Sequence, residues 1–346
     1  MNALSMSAQS DAPPADTTPL MELKSLTKRF VKHRDMAEKI AGLLKARAVP
    51  QAVHAVDDVN LAIFKREVVG LVGESGCGKS TLGRMVVGLE TPTAGSLSWN
   101  GVERSQHGRG AEFQTALAVQ MIFQDPYASL NPRLRVSQLV GEAPLLHGLT
   151  DRASQADYVA ELLQRVGVDP GSVNRFAHQF SGGQRARIGI ARALAVKPEF
   201  IVCDESVAAL DVSVQAQVLN LFMQLRDDFA LTYLFISHDL GVVKHISDRV
   251  VVMYLGRVVE TASTDELFAR PLHPYTQALL SEVPTLRAEK RSFPAITGDI
   301  PSPLSPPGGC HFHPRCKYAI PLCSAERPPL QDQGDGHFSA CHLVAQ

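Results

Sequence analysis

Residues 73–80 read Gly-Glu-Ser-Gly-Cys-Gly-Lys-Ser. In this G-x-x-x-x-G-K-S run the glycines let several backbone N–H groups turn inward around an anion that a Cβ would hold off. Lys79 then reaches the β- and γ-phosphates of a nucleotide, and the Ser80 hydroxyl ligates Mg2+. Gly73, Glu74, Ser75, Gly76, Cys77, Gly78, Lys79, Ser80 and Thr81 are therefore the expected phosphate-binding residues. Further along, Ser181-Gly182-Gly183-Gln184 precedes a helical run, an apolar stretch ends in Asp204-Glu205, Ala209-Leu210-Asp211 follows, and His238 closes another apolar stretch. Transfer of a phosphoryl group to water needs a positioned water and compensation for charge, with little covalent help. Asp204 suits a Mg2+ ligand, directly or through water, and Glu205 suits a group that orients and polarises the attacking water. Taken singly, Ser-Gly-Gly-Gln also reads as a turn before a capped helix, the acidic pair as a strand-end cap and the histidine as structural.

These groups need strands that end together. The apolar run Val68-Val69-Gly70-Leu71-Val72 leads into the loop, and residues 81–88 continue as a helix whose N-terminal dipole faces the phosphates. Residues 20–26 and 53–64 read as strands on either side of a charged insertion, and residues 95–101 end in Asn100-Gly101, a type I′ hairpin signal. They predict a small antiparallel sheet beside the loop. Residues 119–123 read as a buried strand broken by Gln124-Asp125-Pro126. Residues 127–179 read as a helical insert, with Tyr158, Val159, Leu162, Leu163 and Val166 on one face before Gly167 as C-cap. Residues 200–204 and 231–237 are near-continuous apolar runs, as in parallel strands covered on both faces. Between them Val214, Val218, Leu221, Phe222 and Leu225 recur at helical spacing after Asp211 as N-cap. The alternation is βαβ, and the fold class is α/β. From about Thr261 the composition shifts to Pro, His and Cys, marking a separate C-terminal module.

The chain has 346 residues, 45% hydrophobic and 20% charged, enough for one large or two modest domains with a proper core. Its net charge of -1 gives no overall basic footprint, and no nucleic-acid partner is expected. Basic residues do gather between 24 and 47, including Lys28, Arg29, Lys32, Arg34, Lys39 and Lys45, as a solvated surface or a contact for a partner or anionic headgroups. No run of about 18 apolar residues occurs, and residues 1–19 are polar, so the reading is a disordered N-terminus with neither a transmembrane helix nor a signal peptide. Cytosolic residence follows as an expectation, which makes the six cysteines thiols or metal ligands rather than disulfides.

In order, these pieces resemble the nucleotide-binding subunit of ATP-binding cassette (ABC) transporters over most of residues 20–260. Walker A lies at 73–81, the Q-loop at Gln124, the signature at Ser181, Gly182, Gly183 and Gln184, Walker B at 200–204, the D-loop at 208–211 with Asp211, and the H-loop at His238. The resemblance implies a P-loop NTPase core with a small antiparallel β subdomain, an inserted helical subdomain at about 126–180 and a Cys/Pro-rich C-terminal extension at 261–346. It implies ATP and Mg2+ as cofactors and Lys79, Gln124, Glu205 and His238 as the catalytic set. His238 would hydrogen-bond the γ-phosphate and the attacking water. Gln124 would reach Mg2+ or that water while its loop contacts a transmembrane partner. Ser181, Gly182 and Gly183 would complete the ATP pocket of an opposite subunit, so two subunits meet head to tail around two ATP molecules. In this family an aromatic ring stacks on adenine from the early strands, and Phe30 is the candidate; a core role for Phe30 is equally open. Two positions depart from the common pattern. Ser206 follows Glu205 where the family frequently has Pro, and Ala208 opens the D-loop where it has Ser, losing a hydrogen bond of about 0.5–1.5 kcal/mol if that bond forms.

His273-Pro274-Tyr275 resembles the His-Pro-Tyr segment of oligopeptide and dipeptide importers, and Val212-Ser213-Val214-Gln215-Ala216-Gln217 is typical of the same branch. The chain is most similar to its F-type ATPase subunit. The branch implies a second, different ATPase subunit in a heterodimer, two permease subunits, an extracytoplasmic solute-binding protein, and a peripheral place on the cytoplasmic face of the plasma membrane. A soluble ABC ATPase acting on nucleic acid or ribosomes is the alternative; such proteins usually carry two fused cassettes or a long coiled coil. Cys310, Cys316, Cys323 and Cys341 form C-x5-C-x6-C-x17-C. Four thiolates suit an iron–sulfur cluster or tetrahedral zinc, and free thiols are a third reading; the resemblance points to a 4Fe-4S cluster. Cys77 and Cys203 read as small buried thiols.

Overall fold

The computed structural model describes residues 18–31, 52–104, 115–125, 127–281 and 298–344. The disorder expected of residues 1–17, the basic residues from Lys32 to Arg47 and the strand-breaking Pro126 lie outside the described residues.

Strands β1 (Met21–Val31) and β2 (Ala52–Ile63) pair antiparallel. The short, wholly buried β3 (Val68–Val72) runs into the phosphate loop and helix α1 (Lys79–Val87). Strands β4 (Ala94–Trp99) and β5 (Val102–Glu103) form the expected hairpin, with Asn100 at φ 49° and Gly101 at φ 77°, the two left-handed residues that a type I′ turn requires. The small sheet has the order β2-β1-β4-β5.

After β6 (Val119–Ile122) come α2 (Val136–Leu146), α3 (Gln155–Arg165) and α4 (Gly182–Leu194). In α3, Val159, Leu162 and Leu163 are buried, and Gly167 at φ 70° ends the turn beyond it, as the spacing predicts. Strand β7 (Phe200–Asp204), α5 (Val212–Phe229) and β8 (Thr232–Ser237) complete the βαβ unit. Every residue of β3, β7 and β8 is buried, because helices or the small sheet cover both faces. Helix α6 (Leu240–Ile246), strands β9 (Arg249–Tyr254) and β10 (Arg257–Ser263), α7 (Thr264–Ala269) and α8 (Pro274–Ser281) follow. The tail contributes α9 (Pro321–Ala325), β11 (Gln331–Asp332) and β12 (Phe338–Ser339).

The large sheet has the order β11-β12-β10-β9-β3-β8-β7-β6. Its pairs from β9 to β6 are parallel, and the pairs from β9 to β11 are antiparallel. One apolar cluster lies between this sheet and α2–α5, and a second between it, α1 and the small sheet. The composition shift at Thr261 falls inside β10. The tail extends the same sheet through Glu260 paired with Ser339 and Thr261 paired with Phe338, so it is not structurally detached. Among the described residues no helix is long and apolar enough to cross a membrane.

Candidate functional site

Parallel order decides the site. With β3, β8, β7 and β6 side by side, their carboxyl ends form one rim, and the residues just past each end become neighbours although they lie up to about 160 positions apart. Lys79 and Ser80 follow β3, His238 follows β8, Asp204 ends β7 with Glu205 next to it, and Gln124 follows β6.

The phosphate loop depends on its glycines. Gly78 has φ 107°, and a Cβ there would run into the Ala55 carbonyl oxygen; at Gly73, φ 154°, it would run into that of Met253. The Lys79 ammonium is buried and donates to the carbonyl oxygens of Gly73 at 2.7 Å and Glu74 at 3.1 Å. Ser80 Oγ donates to Asp204 Oδ1 at 2.8 Å. Burial raises the Asp204 carboxyl above its ordinary range; the Ser80 hydrogen bond opposes that and the neighbouring Glu205 charge adds to it. Two hard oxygen donors, one on a carboxylate that gains from a nearby cation, fit Mg2+.

Glu205 holds φ 46°, a left-handed conformation that costs a non-glycine residue about 1–2 kcal/mol. Its N–H donates to Ile236 O at 3.0 Å and its carbonyl accepts from Ala208 N–H at 3.1 Å, which fix the turn. The carboxylate thereby faces two other predicted residues. Gln124 Nε2 donates to Glu205 Oε2 at 2.6 Å, and His238 Nδ1 stands 3.4 Å from Oε1. Neither neighbour distance could be read from sequence.

Ser181 is the N-cap of α4: its Oγ accepts from Gln184 N–H at 3.3 Å, and Gln184 Oε1 accepts from Ser181 N–H at 3.0 Å. This reciprocal capping box orients the helix start and its free N–H groups. Gly183 lies against Val214, so the start of α4 and the start of α5 pack closely. Asp211 caps α5, accepting from Val214 N–H at 3.0 Å and from Ser213 Oγ at 2.8 Å. Phe30 is 39% exposed with Lys28 Nζ 4.8 Å above its ring, which removes the core reading.

Cys77 and Cys203 are buried, as expected, and burial pushes both thiols up. Cys310, Cys316, Cys323 and Cys341 line one small cavity with His273, Phe312 and Leu343. Burial, then mutual repulsion of the thiolates, pushes Cys310 up to about 11 and raises Cys316 and Cys341. Among the described residues, however, no group of three or more His, Cys, Asp or Glu is placed to hold a metal ion. The iron–sulfur expectation thus gains no support beyond the shared cavity.

Sequence reasoning missed Arg315, whose guanidinium grips Glu74 of the phosphate loop at 2.7 and 2.9 Å, and the loop contact of Tyr275. The His-Pro-Tyr segment marked Tyr275 only as a branch signature, and no local signal marks Arg315.

A phosphate loop after β3, a Ser–Asp pair beside it, a strand-end glutamate flanked by glutamine and histidine, and a capped Ser-Gly-Gly-Gln helix define an ABC ATPase. Residues 56–208 match the family model described as "ABC transporter", and residues 259–323 match "Oligopeptide/dipeptide transporter, C-terminal region". The chain belongs to the ATP-binding subunits of ABC transporters. Its relatives include the oligopeptide transport ATP-binding protein AppF of Bacillus subtilis, 46% identical over 96% of this chain and 99% of that protein. A putative peptide import ATP-binding protein of Brucella ovis is 46% identical over 94% of this chain and 98% of its own length. The fold is shared with the cassette MJ0796 bound to ADP and Pi, a dimer, at a TM-score of 0.59 and 25% identity over 70% of this chain and 98% of that one. It is also shared with CbiO1 of Clostridium perfringens, at a TM-score of 0.59 and 23% identity over 73% of this chain and 92% of that one.

Proposed function

We propose that this chain is the ATP-hydrolysing subunit that energises import of peptides or related small solutes through a membrane ABC transporter. The observation that carries this reading is the Glu205 carboxylate held between Gln124 and His238, one residue from the Ser80–Asp204 pair. ATP binds along residues 73–81, with Lys79 turning from its loop carbonyls to the β- and γ-phosphates. Ser80, Asp204 and Gln124 would hold Mg2+, which would supply charge compensation on the phosphates. Glu205 orients and polarises the attacking water, and His238 holds the γ-phosphate side. Phe30, exposed at the end of β1, stacks on adenine.

Ser181, Gly182, Gly183 and Gln184, with Asp211 nearby, cover the ATP of a second subunit, so hydrolysis requires a head-to-tail dimer. Two ATPase subunits that differ, two permeases and an extracytoplasmic binding protein form the full assembly, peripheral at the cytoplasmic face of the membrane. Residues 20–260 act as the cassette and 261–346 as a C-terminal module. The match to the C-terminal region of oligopeptide/dipeptide transporters disfavours the alternative of a soluble ATPase on nucleic acid or ribosomes. Purification from membranes tests the assignment: co-isolation with integral membrane proteins and ATPase activity stimulated by a solute-loaded binding protein are expected. Salt-sensitive RNA or DNA binding with no membrane partner would overturn it.

We also propose a 4Fe-4S cluster on Cys310, Cys316, Cys323 and Cys341, supported by the four thiols lining one cavity. Such a cluster would serve as a structural or electron-holding group, and no step of ATP hydrolysis passes through it. Anaerobic purification should give a brown protein with broad visible absorbance; equimolar zinc without iron refutes the cluster.

A further inference from the structure

The His-Pro-Tyr segment and the cysteine-rich tail lie outside the rim of ATP motifs, yet both reach the phosphate loop, and they meet at one residue. The fully buried Tyr275, at the start of α8, accepts a hydrogen bond at its hydroxyl oxygen from the Glu74 N–H at 2.8 Å. Arg315 takes the side chain of the same residue. Its Nη1 donates to Oε2 at 2.7 Å and its Nη2 to Oε1 at 2.9 Å, a bidentate pair on a guanidinium whose side chain is 6% exposed. Tyr254 Oη accepts a further bond from Arg315 Nη1 at 3.3 Å. Three rings support this grip: Tyr254 and Tyr275 with centroids 4.7 Å apart, Tyr254 and Phe312 at 5.2 Å, and Tyr275 and Phe312 at 5.3 Å.

Two observations distinguish the grip from simple docking of the tail. First, other contacts anchor the tail. Arg257 pairs with Asp57 and donates to Gly309 O, His54 N–H donates to Pro303 O, and β12 joins β10. Arg315 meanwhile leaves its own Nε buried without a partner in order to reach Glu74, a cost that docking alone does not require. Second, every polar group of Glu74 is engaged. Its carbonyl accepts from Lys79 Nζ at 3.1 Å and from Cys77 N–H at 3.2 Å, while Tyr275 and Arg315 hold the other groups. When Lys79 turns to a phosphate it gives up that carbonyl. The Cys77 N–H then remains on the carbonyl from within the loop, and Tyr275 and Arg315 are the contacts from outside the loop that still fix Glu74 at that moment.

We propose that Arg315 and Tyr275 are positioning residues for ATP binding: through Glu74 they hold the phosphate loop in its phosphate-accepting shape, making the C-terminal module part of the nucleotide site. The proposal rests on the ATP-binding reading above but not on what fills the cysteine cavity. Because coupling between two sites is reciprocal, nucleotide must in turn tighten the segment around Arg315.

The full-length chain and its Arg315→Gln, Arg315→Lys, Tyr275→Phe, Glu74→Gln and Arg315→Gln/Glu74→Gln variants test this with a fluorescent ATP analogue and Mg2+. Tyr275→Phe keeps the ring packing, so it reports even if an Arg315 variant fails to fold. The expected result is a dissociation constant raised about tenfold in Arg315→Gln and Tyr275→Phe, within the usual range of site coupling. Arg315→Lys should fall between, since a point charge replaces the fork, and the double variant should be no worse than Arg315→Gln alone. Hydrogen exchange in residues 308–326 should slow when the wild-type chain binds MgADP, and should slow less in Tyr275→Phe. Unchanged affinity in Tyr275→Phe and Arg315→Lys, with only the melting temperature lowered, overturns the proposal in favour of docking. A wild-type chain that binds no nucleotide overturns instead the ATP reading beneath it.

Discussion

Gln124 Nε2 and Glu205 Oε2 are 2.6 Å apart, a charge-assisted hydrogen bond between a residue just past the end of β6 and the residue just past the end of β7. The other oxygen of the same carboxylate faces His238 Nδ1 at 3.4 Å. Any movement of the loop after β6 is therefore felt at the carboxylate assigned to the attacking water. In the proposed function this contact would give a partner on that loop a direct path to hydrolysis.

Replacing Glu205 with Gln keeps the size and hydrogen-bonding reach of the side chain and removes its charge. ATP affinity should stay near wild type while turnover falls about a hundredfold, ~3 kcal/mol of transition-state stabilisation. Phosphate release and equilibrium nucleotide binding measured on one preparation check both halves; unchanged hydrolysis would sink the role of Glu205.

Gln124→Ala removes one hydrogen bond to that carboxylate, and bonds to charged groups are worth roughly 1.5–3 kcal/mol. Turnover should drop by at least about tenfold, with the larger loss in stimulation by the membrane partner. Comparing basal and stimulated rates in the assembled complex decides it, since equal losses in both would mean that Gln124 serves only the chemistry.

Gly78→Ala places a Cβ against the Ala55 carbonyl at φ 107°. The added backbone strain, about 1–2 kcal/mol before the clash is counted, falls on the N-cap of α1. Nucleotide binding should be lost while the two large apolar clusters remain folded. Titration with the ATP analogue beside a thermal melt separates the two effects.

Asp57 gives a pH dependence of known sign. Burial raises its carboxyl, but the hydrogen bond and charge of Arg257 outweigh burial and leave it below its ordinary 3.8. A depressed folded value means that its contribution is complete above the unfolded value of about 3.8. That contribution is lost as pH falls through the lower folded value. Denaturant unfolding at pH 5, 4 and 3 should show a steeper acid loss in wild type than in Asp57→Asn; parallel curves would remove Asp57 from the acid limb.

Much of this protein is legible locally. The phosphate loop, the capping serine Ser181, the N-cap Asp211, the Asn100-Gly101 turn and the apolar runs of β3, β7 and β8 each announce themselves within a few residues, because capping, left-handed turns and burial on both faces act at short range. Their order along the chain was enough to resemble one family. What tertiary structure decided is which of them touch. The order β3-β8-β7-β6 set Gln124 and His238 on either side of Glu205, a left-handed backbone at Glu205 aimed the carboxylate, and exposure of Phe30 excluded its core reading. The pairing of Glu74 with Arg315, 241 residues apart, has no sequence signature at all. Strand order and the path of the tail are set by packing across the whole domain, and a bidentate ion pair at such separation exists only once that packing has brought both side chains to the same wall of the loop.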